Sequence, residues 1–141
     1  MASKVFLDAN ILLDLTLKRD HFDISKQIIE LAINGKIQAF TSPSVINVCA
    51  HWLTKVYNDT KAKELLITLL ADVKVIDIEH DIVLNALLSR INDIEDAIQY
   101  YTALHHRMDY FITRDKQLQK QAISVLPIYS PDDFLKEFEN A

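Results

Sequence analysis

The stretch KVFLDANILLDL, residues 4–15, decides the fold. Its first four residues form a short β-prone run, and the apolar residues after Asn10 recur at helical spacing. A buried strand that ends in Asp8 and leads at once into a helix is typical of an α/β domain. In a parallel sheet, Asp8 would then lie at the carboxyl edge, where α/β proteins bind their ligands.

The rest of the chain repeats this alternation of strand and helix. Predicted strands cover residues 4–7, 37–41, 73–78, 110–113 and a marginal edge segment, 124–128, which contains Pro127. Predicted helices cover residues 10–17, a segment capped by Asp23 or Ser25 and running to about 34, then 42–57, 59–71, 79–89, 95–106, a short turn capped by Asp115, and a final helix that starts at Ser130 and Pro131. The helix 42–57 is opened by Ser42 or Ser44, and the helix 95–106 is capped by Asn92 or Asp93. Strands separated by helices predict right-handed crossovers, and therefore a parallel sheet with helices on both faces.

Length and composition predict one domain, residues 1–141, of ordinary globular character. The single cysteine, Cys49, excludes an internal disulfide and a cysteine zinc cluster, and fits a reducing cytoplasm. The first ten residues contain no apolar core of signal-peptide length, and no stretch resembles a membrane span. We therefore expect a cytoplasmic protein with no membrane partner.

A net charge of −5 argues against sequence-blind nucleic-acid binding, which requires a broad basic surface. It leaves open a nuclease in which local basic residues contact phosphates around an acidic pocket. Candidates for that rim are Lys18, Arg19, Arg107, Arg114, Lys116 and Lys120. The alternative is that these cations are scattered, solvated surface charges.

Three aspartates occupy the ends of predicted strands or the starts of predicted helices: Asp8, Asp96 and Asp115. Each has a structural explanation by itself, as a helix cap or as an acid that offsets the helix dipole. Gathered at one sheet edge, however, their like charges would repel unless a cation joined them. Mg²⁺ and Mn²⁺ prefer oxygen ligands, so the sequence predicts a divalent-metal site. Asp93 and Glu95, which precede Asp96 in the acidic run, are expected to face solvent.

Three segments resemble PIN-domain proteins: VFLDANILLDLTLKRD (5–20), DIEDAIQYYTALHHRMDYFITRD (93–115) and VLPIYSPDDFL (125–135). The resemblance implies a PIN-like three-layer α/β/α sandwich with a central, mainly parallel sheet of four to five strands and numerous helices. It also implies a metal-dependent ribonuclease, and many bacterial members are VapC-like toxins held inactive by a cognate antitoxin. By position, Asp8, Asp96 and Asp115 match the acidic, metal-binding pocket, and Asn10 matches the polar residue beside the first acid. The family's assembly mode implies a homodimer.

One departure from the family pattern lies in TSPSVINVCAHW, residues 41–52. The family often has a Glu early in this helix, whereas the expected position here is Asn47. An amide supplies an oxygen but no charge, so this change should lower metal affinity. Glu30, Glu64 and Asp14 are possible substitutes.

These observations predict an Mg²⁺- or Mn²⁺-dependent endoribonuclease, the toxin of a toxin–antitoxin pair. Asp8, Asp96 and Asp115 are expected to hold the metal, Asn10 and Asn47 to orient the site, and Arg19 or Arg114 to contact the RNA backbone. One alternative is a non-catalytic domain of the same fold that binds RNA or protein, suggested by Asn47. A second alternative is a phosphoacceptor receiver domain, which the single acid after the first strand and the missing strand-end lysine disfavour.

Overall fold

A computed structural model describes residues 2–139 and shows a sheet of five parallel strands in the order β3-β2-β1-β4-β5. The strands are β1 (Ser3–Leu7), β2 (Ile37–Thr41), β3 (Val73–Val75), β4 (Tyr110–Ile112) and β5 (Ile128–Tyr129). The chain moves outward from β1 in one direction to β3, then returns to the other side of β1 for β4 and β5. The predicted α/β class and its parallel sheet are therefore confirmed.

Eight helices connect and cover these strands within the described residues. They are α1 (Ala9–Thr16), α2 (Phe22–Ile33), α3 (Pro43–Val56), α4 (Asp59–Leu69), α5 (His80–Leu88), α6 (Ile94–His105), α7 (Lys116–Gln119) and α8 (Pro131–Glu139). Ser42, Asp93 and Asp115 cap α3, α6 and α7 by accepting backbone N–H groups. The structure thus selects Ser42 over Ser44 and Asp93 over Asn92, and it confirms the predicted cap at Asp115. Across residues 2–139, no helix combines the length and apolar character that crossing a membrane requires.

The predicted boundaries of the last strand were wrong. β5 occupies Ile128–Tyr129, and the preceding residues form a turn closed by a bond from the Leu126 amide to the Ile123 carbonyl. Pro127 has no N–H to donate, and only its carbonyl takes part in pairing, accepting the Phe111 amide at 3.0 Å. The strand predicted at 73–78 ends at Val75, because its partner β2 ends at Thr41.

The predicted cap of α2 was also wrong. The helix begins at Phe22 after His21, which makes no capping bond through its side chain. The Ser25 hydroxyl, one of the two predicted caps, instead donates to the carboxylate of Asp14 at 2.8 Å. Gly35 ends the connection to β2 with a φ of 73°, a backbone conformation that costs glycine little.

The core is centred on β1, whose residues Val5, Phe6 and Leu7 have no exposed surface. A central strand of a parallel sheet is covered on both faces, which explains the continuous apolar run in the sequence. The Phe6 and Phe111 rings stack with centroids 5.0 Å apart, and so join β1 to β4 on one face. The pairing of Leu7 with Ile112 then fixes the relative height of the loops that follow the two strands.

Candidate active site

The Thr113 hydroxyl connects the loops that follow β1 and β4. It donates to one oxygen of Asp8 at 2.8 Å and accepts the backbone N–H of Asp115 at 3.2 Å. The other oxygen of Asp8 accepts the N–H of Ala9 at 2.8 Å, so this carboxylate also caps α1. One buried hydroxyl therefore holds two of the predicted site residues in a fixed relation.

Asp96 and Asp115 line one cavity of about 250 Å³, which Asp93 also lines. Asp96 lies in the first turn of α6, and its N–H is bound by the side chain of Asp93 at 2.9 Å. Asp115 accepts the N–H groups of Gln117 and Leu118, which orients its carboxylate at the start of α7. Asp115 therefore caps α7 and also lines the acidic cavity.

The carboxylates act on one another. Burial is the main cause that raises the pKa of Asp8, and Asp115 and Asp93 add repulsion, while hydrogen bonds from Thr113 and Ala9 partly offset it. The pKa of Asp96 rises from 3.8 to about 7, first through burial, then through Asp93, a hydrogen bond with Asp115 and the charge on Asp8. Such crowding disfavours ionisation unless positive charge is supplied.

Glu95 also responds to the charges of this edge. Its side chain is exposed, as predicted, but desolvation and the charges of Asp8 and Asp93 raise its pKa. Glu95 therefore contributes to the negative potential at this edge. The signal was present in the sequence as three acids within four residues, DIED, which exceeds what offsetting a helix dipole requires.

Arg114 pairs with Asp14, not with its neighbour Asp115. The Asp14 carboxylate, of which 1% is exposed, lies on α1 and binds the Arg114 guanidinium directly. Ser25 donates to the same carboxylate, and Arg19 approaches its other oxygen at 3.3 Å. This buried network ties the loop between Thr113 and Asp115 to α1 and α2. Asp14, considered as a substitute metal ligand, is fully occupied by these partners.

Asn10 and Asn47 are both exposed, and within residues 2–139 no side-chain hydrogen bond joins either of them to the three aspartates. Asn10 contributes through its carbonyl, which accepts from Arg19 at 3.3 Å. Directly after β2, which is parallel to β1, the buried Ser42 hydroxyl donates to Gln99 on α6. Cys49 is also buried; burial and the nearby charge of Asp8 raise the pKa of its thiol to about 12, despite an opposing effect of Arg19.

The carboxylates are the hard oxygen donors that Mg²⁺ and Mn²⁺ prefer, and their raised pKa values indicate negative charge that a cation would stabilise. In the described part of the chain, no three His, Cys, Asp or Glu side chains are close enough together to form a complete metal site. Magnesium usually takes one or two carboxylates and completes its shell with water and phosphate oxygens. The donor set therefore fits such an open site, and does not fit a closed protein cage.

A sequence model described as the PIN domain matches residues 4–117. VapBC2 of Rickettsia felis, solved bound to a DNA fragment of its promoter, matches with a TM-score of 0.72 at 17% identity, covering 90% of this chain and 98% of that one. VapC20 of Mycobacterium tuberculosis, a toxin that cleaves the sarcin–ricin loop, gives 0.66 at 15% identity, covering 86% and 97%. A toxin–antitoxin complex from Klebsiella pneumoniae gives 0.67 at 24% identity, covering 90% and 97%.

At these identities the structures establish a shared fold. No curated protein matches the sequence.

The raised pKa of Asp96 predicts a pH-dependent gain in stability for Asp96→Asn. An acid whose pKa rises on folding destabilises the folded state when ionised, and this penalty disappears as pH falls from about 7 towards the ordinary value of 3.8. We expect Asp96→Asn to melt at a higher temperature than the wild type at pH 8, with the difference shrinking steadily to zero near pH 4. Thermal melts in chelator measure it, with the exposed Asp72→Asn as the control. A difference in melting temperature that does not change with pH would contradict the raised pKa of Asp96.

Removing one partner of a buried ion pair leaves an uncompensated charge, at a cost of about 3–5 kcal/mol. We therefore expect Asp14→Asn to lower the free energy of unfolding by about 3 kcal/mol in urea titrations. Arg19→Gln should cost less than about 1 kcal/mol, because the Arg19 side chain is 41% exposed.

In a double-mutant cycle, Asp14 and Arg114 should couple more strongly than Asp14 and Arg19. Equal coupling for the two arginines would show that the buried pair has no special role.

Proposed function

This chain belongs to the PIN domain family, and we propose that it is a metal-dependent endoribonuclease that acts as the toxin of a type II toxin–antitoxin pair. VapC-like members of the family are generally nucleases, and the fold is shared with VapC-type structures over most of the chain. The substrate is RNA, and the bond cleaved is a phosphodiester.

The observation that carries the proposal is the pairwise association of Asp8, Asp96 and Asp115 near the carboxyl ends of β1 and β4. Thr113 joins the first to the third, and a shared cavity joins the second to the third. Helix capping alone does not require these carboxylates to lie near one another, and their mutual repulsion is unfavourable. Strongly perturbed acids in a cleft are typical of functional sites.

In this proposal Asp96 and Asp115, with Asp8 beside them, hold Mg²⁺ or Mn²⁺. When bound, such an ion offsets the charge of a phosphate and lowers the pKa of water. The protein supplies orientation: Thr113 fixes Asp8 relative to the Asp115 backbone, and the N–H groups at the start of α7 fix the Asp115 carboxylate. Without a cation, burial and the neighbouring carboxylates raise the pKa of Asp96 to about 7, so this side chain is partly protonated near neutral pH.

The two candidate arginines receive different roles. The Arg114 side chain is 22% exposed and engaged by Asp14 and Ser25, so it serves as a positioning residue. Arg19 is more exposed and lies beside the Asn10 carbonyl at the start of α1. We assign Arg19 to contact with the RNA backbone.

The partners proposed are an RNA substrate, a cognate antitoxin and a second copy of the chain, in the cytoplasm. The Rickettsia felis and Klebsiella pneumoniae structures are of toxin–antitoxin systems, which supports an antitoxin partner. Exposed apolar side chains on α3 and α4, among them Trp52, Val56 and Ile67, offer surface for protein contacts.

A second candidate is a non-catalytic RNA- or protein-binding domain. Asn47 favours it, because an uncharged residue stands where the family often has a carboxylate. The open donor set described above is consistent with either reading, so a cleavage assay must separate them.

We expect the wild type to cut RNA in Mn²⁺ or Mg²⁺ and to stop in chelator. Asp96→Asn and Asp115→Asn each remove a proposed ligand, and should lower the cleavage rate by more than about 100-fold, since even outer-shell changes cost roughly 10- to 100-fold. Rates are measured on structured and unstructured RNA. Asp72→Asn removes an exposed carboxylate and should retain full activity.

Chelator-insensitive cutting would point to a contaminating enzyme. RNA retention without cutting under any metal condition would instead establish the non-catalytic alternative.

A further inference from the structure

A second cavity, of about 560 Å³, lies next to the acidic one. Ile91 and Gln121 line both cavities, so the two lie side by side as adjoining compartments. The second compartment lies between the α5–α6 connection and the segment that follows α7. Its volume falls within the roughly 300–1,000 Å³ of small-molecule binding sites. We name it the tyrosine compartment, after Tyr100 and Tyr101 in its wall.

The tyrosine compartment is basic where its neighbour is acidic. Arg90 and Lys120 line it, both side chains are exposed, and neither forms an ion pair with any carboxylate in residues 2–139. In the acidic compartment, by contrast, Asp93, Asp96 and Asp115 converge. Adjoining acidic and basic compartments suit a polyanion such as a nucleic acid. One of its phosphates could be bound through a metal ion in the acidic compartment, and the neighbouring phosphates by basic side chains in the other.

The wall of the tyrosine compartment is held in place by Tyr100. Its buried hydroxyl donates to the Leu126 carbonyl at 2.7 Å and accepts the Ile123 N–H at 2.9 Å. These bonds fix the segment that carries Lys120 and Gln121 against α6. The compartment is therefore preformed, which lowers the entropic cost of binding.

Tyr101 supplies an aromatic surface. It is partly buried, meets Tyr100 edge to face at a centroid distance of 6.1 Å, and within the described residues its hydroxyl has no hydrogen-bond partner. Any of the four bases can stack on an accessible aromatic ring, because every base has a π-face. Ile123, which is 47% exposed, adds apolar surface to the same compartment.

We propose that the tyrosine compartment is a subsite for one nucleotide of single-stranded RNA, adjacent to the phosphate that is cleaved. Tyr101 stacks on the base, and Arg90 and Lys120 contact the phosphates that flank it. The identity of the ligand rests on the proposed ribonuclease function. The subsite favours an unpaired nucleotide, because a base within a duplex must first be unpaired and unstacked before it can enter the cavity.

Binding of a fluorescein-labelled, mixed-sequence 12-nucleotide RNA to the full chain in chelator tests the subsite, with anisotropy measured across a range of salt concentrations. Tyr101→Leu keeps apolar volume but removes the ring, and should weaken binding on the order of tenfold. Tyr101→Phe keeps the ring and should bind within about twofold of the wild type. Arg90→Gln combined with Lys120→Gln should lower the slope of log affinity against log salt by about 1.4, or roughly 0.7 per phosphate contact.

The matched control removes the same charge elsewhere, through Lys61→Gln combined with Lys63→Gln, both on exposed positions of α4. Its salt slope should equal that of the wild type. For a duplex of the same sequence, Tyr101→Leu should bind with the same affinity as the wild type. Thermal melts of each variant establish that folding is retained, and the surface double variant tests the subsite even if Tyr101→Leu is unstable.

Cleavage in Mn²⁺ keeps the two proposals separate. If the wild type cuts RNA but the compartment variants and the α4 control behave alike, the subsite is overturned while the ribonuclease function stands. If the variants lose binding to an antitoxin peptide and keep RNA affinity, the compartment is a protein site and the proposal is again overturned. Absence of both RNA cutting and RNA binding in the wild type overturns both.

Discussion

The parallel pairing of β1 with β4 is the constraint on which the site depends. It sets Leu7 beside Ile112, so that Asp8 and Thr113 emerge at the same height and one hydroxyl can reach both an aspartate and the amide of the next. The stacked Phe6 and Phe111 rings secure that pairing from within the core. Residues 105 positions apart in the chain thus become hydrogen-bonded neighbours, and the acidic edge follows from it.

The electrostatics of the edge carry a cost that the rest of the fold must offset. Asp8, Asp93, Glu95 and Asp96 repel one another, and the pKa values of three of them are raised. Asp14 has the opposite environment, since its carboxylate is buried between two arginines and a serine. The fold therefore pairs the carboxylate that orients a loop with cations, whereas the acids near the carboxyl ends of β1 and β4 have no cationic partner in the described residues.

Much of this architecture was predictable from local pattern, and the failures have identifiable causes. Strand and helix order, the cap at Asp115 and the proximity of Asp8 to the Asp115 backbone followed from apolar spacing, from capping residues and from the shared edge at which parallel strands end. Ser42 and Asp93 were each one of two candidate caps. The cap of α2 could not be predicted in this way, because the Ser25 hydroxyl donates to the carboxylate of Asp14, 11 positions earlier in the chain. The partner of Arg114 is 100 positions away, and no spacing rule encodes such a contact. The tyrosine compartment was missed for the same reason: its wall combines α6 with a segment whose turn was taken for a strand.

Cys49 has a practical consequence for studying the protein. The thiolate is the reactive form of cysteine, and burial with a pKa of about 12 leaves almost none of it at neutral pH. This only thiol in the chain should resist alkylation and oxidation while the protein stays folded. A cysteine introduced on the surface can therefore be labelled with a maleimide dye while the native one is left in place, and reaction of Cys49 itself becomes a reporter of unfolding.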